Sequence, residues 1–149
     1  MFGLFSGSIE ITPDKQSYAL GETVSLAFKL KLKGPLQARG LLARVRAYYT
    51  ERYRDTSTHM SSGSHHHHNR THTRDIELFV QEFSLGGPKE YRDGEAYSAS
   101  FQIPNNQALL SQPGFLGLLG GRQVIWEASA KLDIEKSFDV GGKIKLNVH

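Results

Sequence analysis

Val24, Leu26, Phe28, Leu30 and Leu32 alternate with Ser25, Ala27, Lys29 and Lys31, an unbroken run in which every second residue is apolar. Side chains of an extended chain point alternately to opposite sides, so a period of two buries one face of a β-strand and leaves the other to water. A helix would scatter the same residues around its circumference. The pattern recurs at Ser8–Thr12, with Ile9 and Ile11 inward, and at Gly40–Thr50, Arg74–Phe83, Ala96–Ile103, Gln123–Ile134 and Lys143–Val148. These segments predict about seven strands.

Turn signals separate them: Pro13-Asp14, Leu20-Gly21-Glu22, Lys33-Gly34-Pro35, Leu85-Gly86-Gly87-Pro88, Arg92-Asp93-Gly94 and Val140-Gly141-Gly142. Glycine supplies positive φ and proline a fixed φ at such places. The best helical stretch is short, Asn105–Ser111, just after Pro104. Many modest strands punctuated in this way predict an all-β fold, a two-layer antiparallel β-sandwich of Greek-key type.

At 149 residues the chain is sized for one domain spanning 1–149. No cysteine is present, which excludes a disulfide scaffold, a thiol nucleophile and a thiolate metal site. The opening Met1-Phe-Gly-Leu-Phe-Ser-Gly lacks the basic region and apolar run of a signal peptide. No window is apolar enough for a membrane-spanning helix, and a cytoplasmic location is expected. The net charge of +3 is too mild to predict nucleic-acid binding. The densest basic stretch, Arg39, Arg44, Arg46, Arg52 and Arg54, interleaves with apolar residues as a solvated sheet face does.

Two segments break the alternation. Thr56–Thr73 is mostly Ser, Thr, His and Gly, with Met60 as its one apolar residue, a composition that cannot offset its own ordering entropy, so a flexible loop is expected. The other is Pro113–Gly121, with Phe115, Leu116, Leu118 and Leu119 in a glycine-rich frame.

Three stretches carry a family likeness. Tyr18-Ala19-Leu20-Gly21-Glu22-Thr23-Val24 is similar to a "Y-x-P-G-E-x-V" turn entering a strand, with Leu20 where proline is usual. Gly94-Glu95-Ala96-Tyr97-Ser98-Ala99-Ser100-Phe101-Gln102-Ile103-Pro104 is similar to a "G-E-x-Y-x-F-x-F-x-I-P" strand, and Trp126-Glu127-Ala128-Ser129-Ala130-Lys131-Leu132-Asp133 to a "Y-x-V-x-A-x-L-D" strand with Trp126 replacing tyrosine. In this order, over about Ile9 to Val148, the chain resembles the arrestin-like superfamily: its N-terminal-type domain and the small microbial proteins related to sporulation control. The resemblance implies a scaffold that binds proteins. Immunoglobulin-like and fibronectin-like sandwiches are the competing folds. Receptor regulation and ubiquitin-ligase recruitment belong to two-domain members of the family.

No G-x-S-x-G, P-loop, G-x-G-x-x-G or H-E-x-x-H motif is present. Asp75, Glu77 and Glu82, and Asp133 with Glu135, read as solvent-facing charges rather than an acid/base pair. Six of the seven histidines, His59, His65, His66, His67, His68 and His72, fall close together, and imidazoles on a loop bind Zn²⁺ or Ni²⁺ adventitiously. These readings predict a non-enzymatic interaction or scaffold module that binds a protein partner or itself. An edge strand and the apolar loop Phe115, Leu116, Leu118 and Leu119 supply the contacts. Peripheral membrane contact is a second use of the loop, and no cofactor is expected. The alternative is a metal-responsive binding protein using His65, His66, His67 and His68.

Overall fold

The alternation around Phe28 produces a strand that is buried at every second residue. In the computed structural model, which describes residues 7–54, 71–111, 122–135 and 140–149, β2 spans Thr23–Leu32, and Val24, Leu26, Phe28, Leu30 and Leu32 are all buried. On one side it pairs antiparallel with β1 (Gly7–Pro13), from Gly7 opposite Leu32 to Pro13 opposite Leu26. On the other lies β7 (Ala96–Gln102), with Val24 opposite Phe101 and Phe28 opposite Tyr97.

A second antiparallel sheet runs β5 (Thr71–Gly86), β4 (Gly40–Arg54), β8 (Ile125–Asp133) and β9 (Val140–Leu146). Its inner face is built on small residues, Ala43, Ala47, Ala128 and Ala130, with Val45, Trp126 and Leu132 among them. Large side chains on the first sheet and small ones on the second fill one continuous core. The chain passes between the sheets after β2, after β5 and after β7, so strands distant in sequence lie side by side. This interleaving is the expected Greek-key sandwich.

All seven sequence-predicted strands are present, and two more join them. β3 (Leu36–Ala38) and β6 (Lys89–Tyr91) form a small ladder of their own. Three residues are too few to show a period. β5 starts inside the segment 56–73 expected as a loop, because Thr71, His72 and Thr73 pair with Arg54, Tyr53 and Arg52. Val140-Gly141-Gly142, read as a turn, lies inside β9 instead. Glycine within a strand often marks a close approach of another backbone, and that is its role here. Gly21 and Gly94 do adopt positive φ, 84° and 86°, at the predicted turns. The helical stretch shrinks to a 3-10 turn at Gln107–Leu109, capped by the Asn106 side chain, which accepts from the Ala108 N–H at 3.0 Å.

Candidate interaction edges

A two-sheet sandwich has two seams where its sheets end, and here they differ. At the first seam β1 and β9 meet. A Cβ on Gly142 would overlap the carbonyl oxygen of Ile9 and lie 2.9 Å from its carbonyl carbon. Only glycine lets the strands come this close, and the seam is shut by backbone against backbone.

The second seam, between β5 and β7, is filled by rings. Phe79 lies 6.1 Å from Phe101 and 5.4 Å from Trp126, centroid to centroid, and Phe83 lies 6.4 Å from Phe101. Trp126 Nε1 donates to the Leu109 carbonyl at 3.0 Å, tying the 3-10 turn over the indole. Phe79 and Phe83 remain half-buried. Among the described residues no ladder joins β5 to β7, and each is the terminal strand of its sheet.

The two edges have opposite character. Register shifts interrupt β5 at Leu41/Leu42 and at Ala47/Tyr48 of its neighbour, and its outer face carries Asp75, Glu77 and Glu82. Arg44 bonds Glu77 at 2.8 Å and approaches Glu82 at 3.9 Å, and Arg46 reaches Glu77 at 3.6 Å and Asp75 at 3.9 Å. Bulges and charges are the usual protections of an edge against stray pairing. Val80 and Leu42, exposed on the same face, interrupt the ionic pattern. By contrast β7 reads Ala-Tyr-Ser-Ala-Ser-Phe-Gln, without charge or proline, and its register on β2 is unbroken.

The orientation of the β7 peptides follows from its ends. Ile103 N–H donates to Glu22 and Ile103 C=O accepts from Gly21, both at 2.9 Å, while Glu95 C=O accepts from Leu30 N–H. The odd-numbered residues therefore turn their backbone groups toward β2. Those of Ala96, Ser98, Ser100 and Gln102 point out of the sheet.

Several further polar groups are engaged in structure. Of the predicted basic face, Arg39, Arg44 and Arg46 form ion pairs: besides the contacts of Arg44 and Arg46 above, Glu127 is buried between Arg46 at 3.3 Å and Lys143 at 3.6 Å, and Arg39 pairs with Asp133 at 2.8 Å, while the side chains of Arg52 and Arg54 lie outside the described set. Burial of the guanidinium is outweighed by Glu127, and the pKa of Arg46 is raised. Glu95 accepts from Lys89, from the Arg92 N–H and from Tyr97, and these bonds hold its carboxyl at about 2. A concavity of about 480 Å³ beside Tyr18 is walled by Asp14 and Lys15. Tyr18 donates to Asp14 at 2.6 Å and accepts from the Lys15 N–H at 3.0 Å, and Asp14 also accepts from the Ser25 N–H at 3.1 Å. This cluster locks the β1–β2 connection.

Phe115, Leu116, Leu118 and Leu119, and His65, His66, His67 and His68, lie outside the described residues. The histidine segment follows a ribbon: β4 pairs with β8 only as far as Tyr48, whereas with β5 it continues to Arg54. Among the described residues no group of three or more His, Asp or Glu could hold a metal ion, and no helix is long and apolar enough to cross a membrane. Sequence reasoning anticipated an edge strand without saying which one. The available signal is the lack of charge in Ala96–Gln102, which singles out a strand only once the topology makes it terminal.

No family model matches the chain, and no curated protein matches it. Among solved structures it is similar to Spo0M, a sporulation control protein from Bacillus subtilis, with a TM-score of 0.60 at 16% identity. The likeness covers 97% of this chain and 49% of that one, so the chain spans about half the length of its structural neighbour. The sandwich just described is an arrestin-like fold, the one its sequence motifs resemble.

Proposed function

We propose that the chain is a non-enzymatic interaction module, binding a protein by adding a partner's strand to the edge of β7. The observation that carries this reading is the outward-pointing row of N–H and C=O groups on Ala96, Ser98, Ser100 and Gln102, which no strand pairs among the described residues, on a strand that itself carries no charge, proline or register shift. The arrestin-like fold supports a regulatory or scaffold role by analogy of architecture alone. The apolar segment at Phe115, Leu116, Leu118 and Leu119 is proposed as a second contact, on the strength of its composition.

Affinity capture from native lysate, with soluble and membrane fractions kept apart, tests the reading. Ser100→Pro removes one outward N–H and leaves the bonds to β2 in place. A protein retained by the wild type and lost with Ser100→Pro is the expected result. The Phe115/Leu116/Leu118→Ser variant asks whether the apolar segment contributes. Retention unaffected by Ser100→Pro would overturn the role of the edge, and no retained protein at all, the chain itself included, would overturn the module.

A further inference from the structure

We propose that a second copy of this chain occupies the β7 edge, the two β7 strands pairing antiparallel about Ala99. The inference rests on the interaction-module reading and names its partner. The segment Tyr97-Ser98-Ala99-Ser100-Phe101 reads almost the same in both directions, with an aromatic residue at each end and serine on each side of a central alanine. A two-fold axis at Ala99 therefore sets Ser98 against Ser100 of the other copy and Tyr97 against its Phe101.

The backbone agrees with this register. Outward-pointing residues are the ones that exchange hydrogen bonds across an antiparallel pair, and here Ser98 meets Ser100 and Ala96 meets Gln102, all four of them outward-pointing. Every outward-pointing N–H and C=O of the strand finds a partner. Ala99 and the two aromatic residues fall at the non-hydrogen-bonded sites, where cross-strand side chains come closest. Ala99 is small enough to face itself, and the Tyr97–Phe101 pairs extend the row of rings that fills the seam.

Charge selects this strand over its neighbour. Pairing β5 with β5 would gather Asp75, Glu77 and Glu82 from both copies along one edge, and its register shifts would break the ladder. β7 brings no charge to oppose association. The product is one continuous sheet with β1, β2 and β7 of each copy. With one strand per partner, the interface falls at the small end of the scale, below about 1,200 Å² in total, where contacts are weak and concentration-dependent.

Sedimentation equilibrium of the full chain over a wide concentration range, on wild type and two variants, tests the proposal. Ser98 and Ser100 are exposed on the outer face, so substitutions there leave the core untouched, and thermal unfolding verifies the fold of each variant. The wild type is expected to be a reversible dimer. S98K/S100K sets like charges opposite one another and should weaken it by at least about tenfold. S98E/S100K should restore it, because only the register centred on Ala99 places position 98 of one copy opposite position 100 of the other. Registers shifted by two residues set like charges together in both variants. A wild type that stays monomeric up to its solubility limit would overturn the second-copy inference, as would a dimer indifferent to S98K/S100K or one not recovered in S98E/S100K. A monomeric wild type that captures another protein through Ser100 would refute this inference and leave the module reading standing.

Discussion

Gly142→Ala should be among the most damaging single-methyl additions this chain can suffer. The new Cβ would overlap the Ile9 carbonyl oxygen and sit 2.9 Å from its carbon. Relief requires β1 and β9 to part by roughly 1 Å, a gap that already forfeits a quarter to a half of each van der Waals contact across the seam. β1 cannot yield alone, because all of Gly7–Pro13 is paired with β2. Gly142 is likewise fixed by its pairing with Ala130. Overpacking in such a setting costs about 1–3 kcal/mol or more, and the trapped geometry argues for the upper end. At about 3 kcal/mol, a domain of this size should lose roughly 6–12 °C in Tm. Gly34→Ala is the control, since nothing lies within 4 Å of its Cβ position, and its expected change is within about 0.5 kcal/mol or slightly stabilising. Urea unfolding followed by circular dichroism measures both. A Gly142→Ala protein as stable as the Gly34→Ala control would show that the β1/β9 seam is not closed by backbone contact.

Three further expectations follow from particular side chains. Phe101 is buried against Phe79 and Phe83, and Phe101→Ala should cost about 3–5 kcal/mol in the same unfolding assay; a loss under 1 kcal/mol would place the inward face of β7 elsewhere. The Glu95 carboxyl, depressed from 4.5 to about 2, contributes stability that is complete above its unfolded value and lost as pH falls through that interval. Glu95→Gln should therefore destabilise at pH 7 by about 1–2 kcal/mol after allowance for solvent screening, with the difference from wild type shrinking toward pH 2; a difference independent of pH would contradict the assignment. His65, His66, His67 and His68 are expected to bind Zn²⁺ or Ni²⁺ only adventitiously, with calorimetric dissociation constants weaker than about 10 μM, and tighter binding abolished by replacing all four would establish the metal-responsive alternative.

The sandwich was legible because burial writes itself into every second residue of β2, β7 and β8. What the sequence did not show has specific physical causes. β3 and β6 are held by tertiary pairing across Leu36 and Tyr91 and carry no periodic signal. Gly141-Gly142 looks the same in a turn as in a strand crowded by another backbone, and only the approach of Ile9 separates the two. The charges of β4 and β5 were rightly read as a solvated face, yet Glu127 is buried on that face because Arg46 and Lys143 bracket it, a pairing set by strand order rather than by sequence spacing. Which strand ends a sheet is likewise a property of topology. The lack of charge in Ala96–Gln102 gains meaning only once β7 is known to be terminal.

The most direct test of the open edge is residue-resolved amide hydrogen exchange along β7 at high dilution and again at high concentration or with a captured partner. At high dilution the amides of Ser98 and Ser100 should exchange rapidly while those of Ala99 and Phe101, bonded to β2, are protected. Protection of Ser98 and Ser100 should appear only on association. If the dilute protein already protects all four amides equally, the edge is covered within the chain and the account of β7 as a binding surface is wrong.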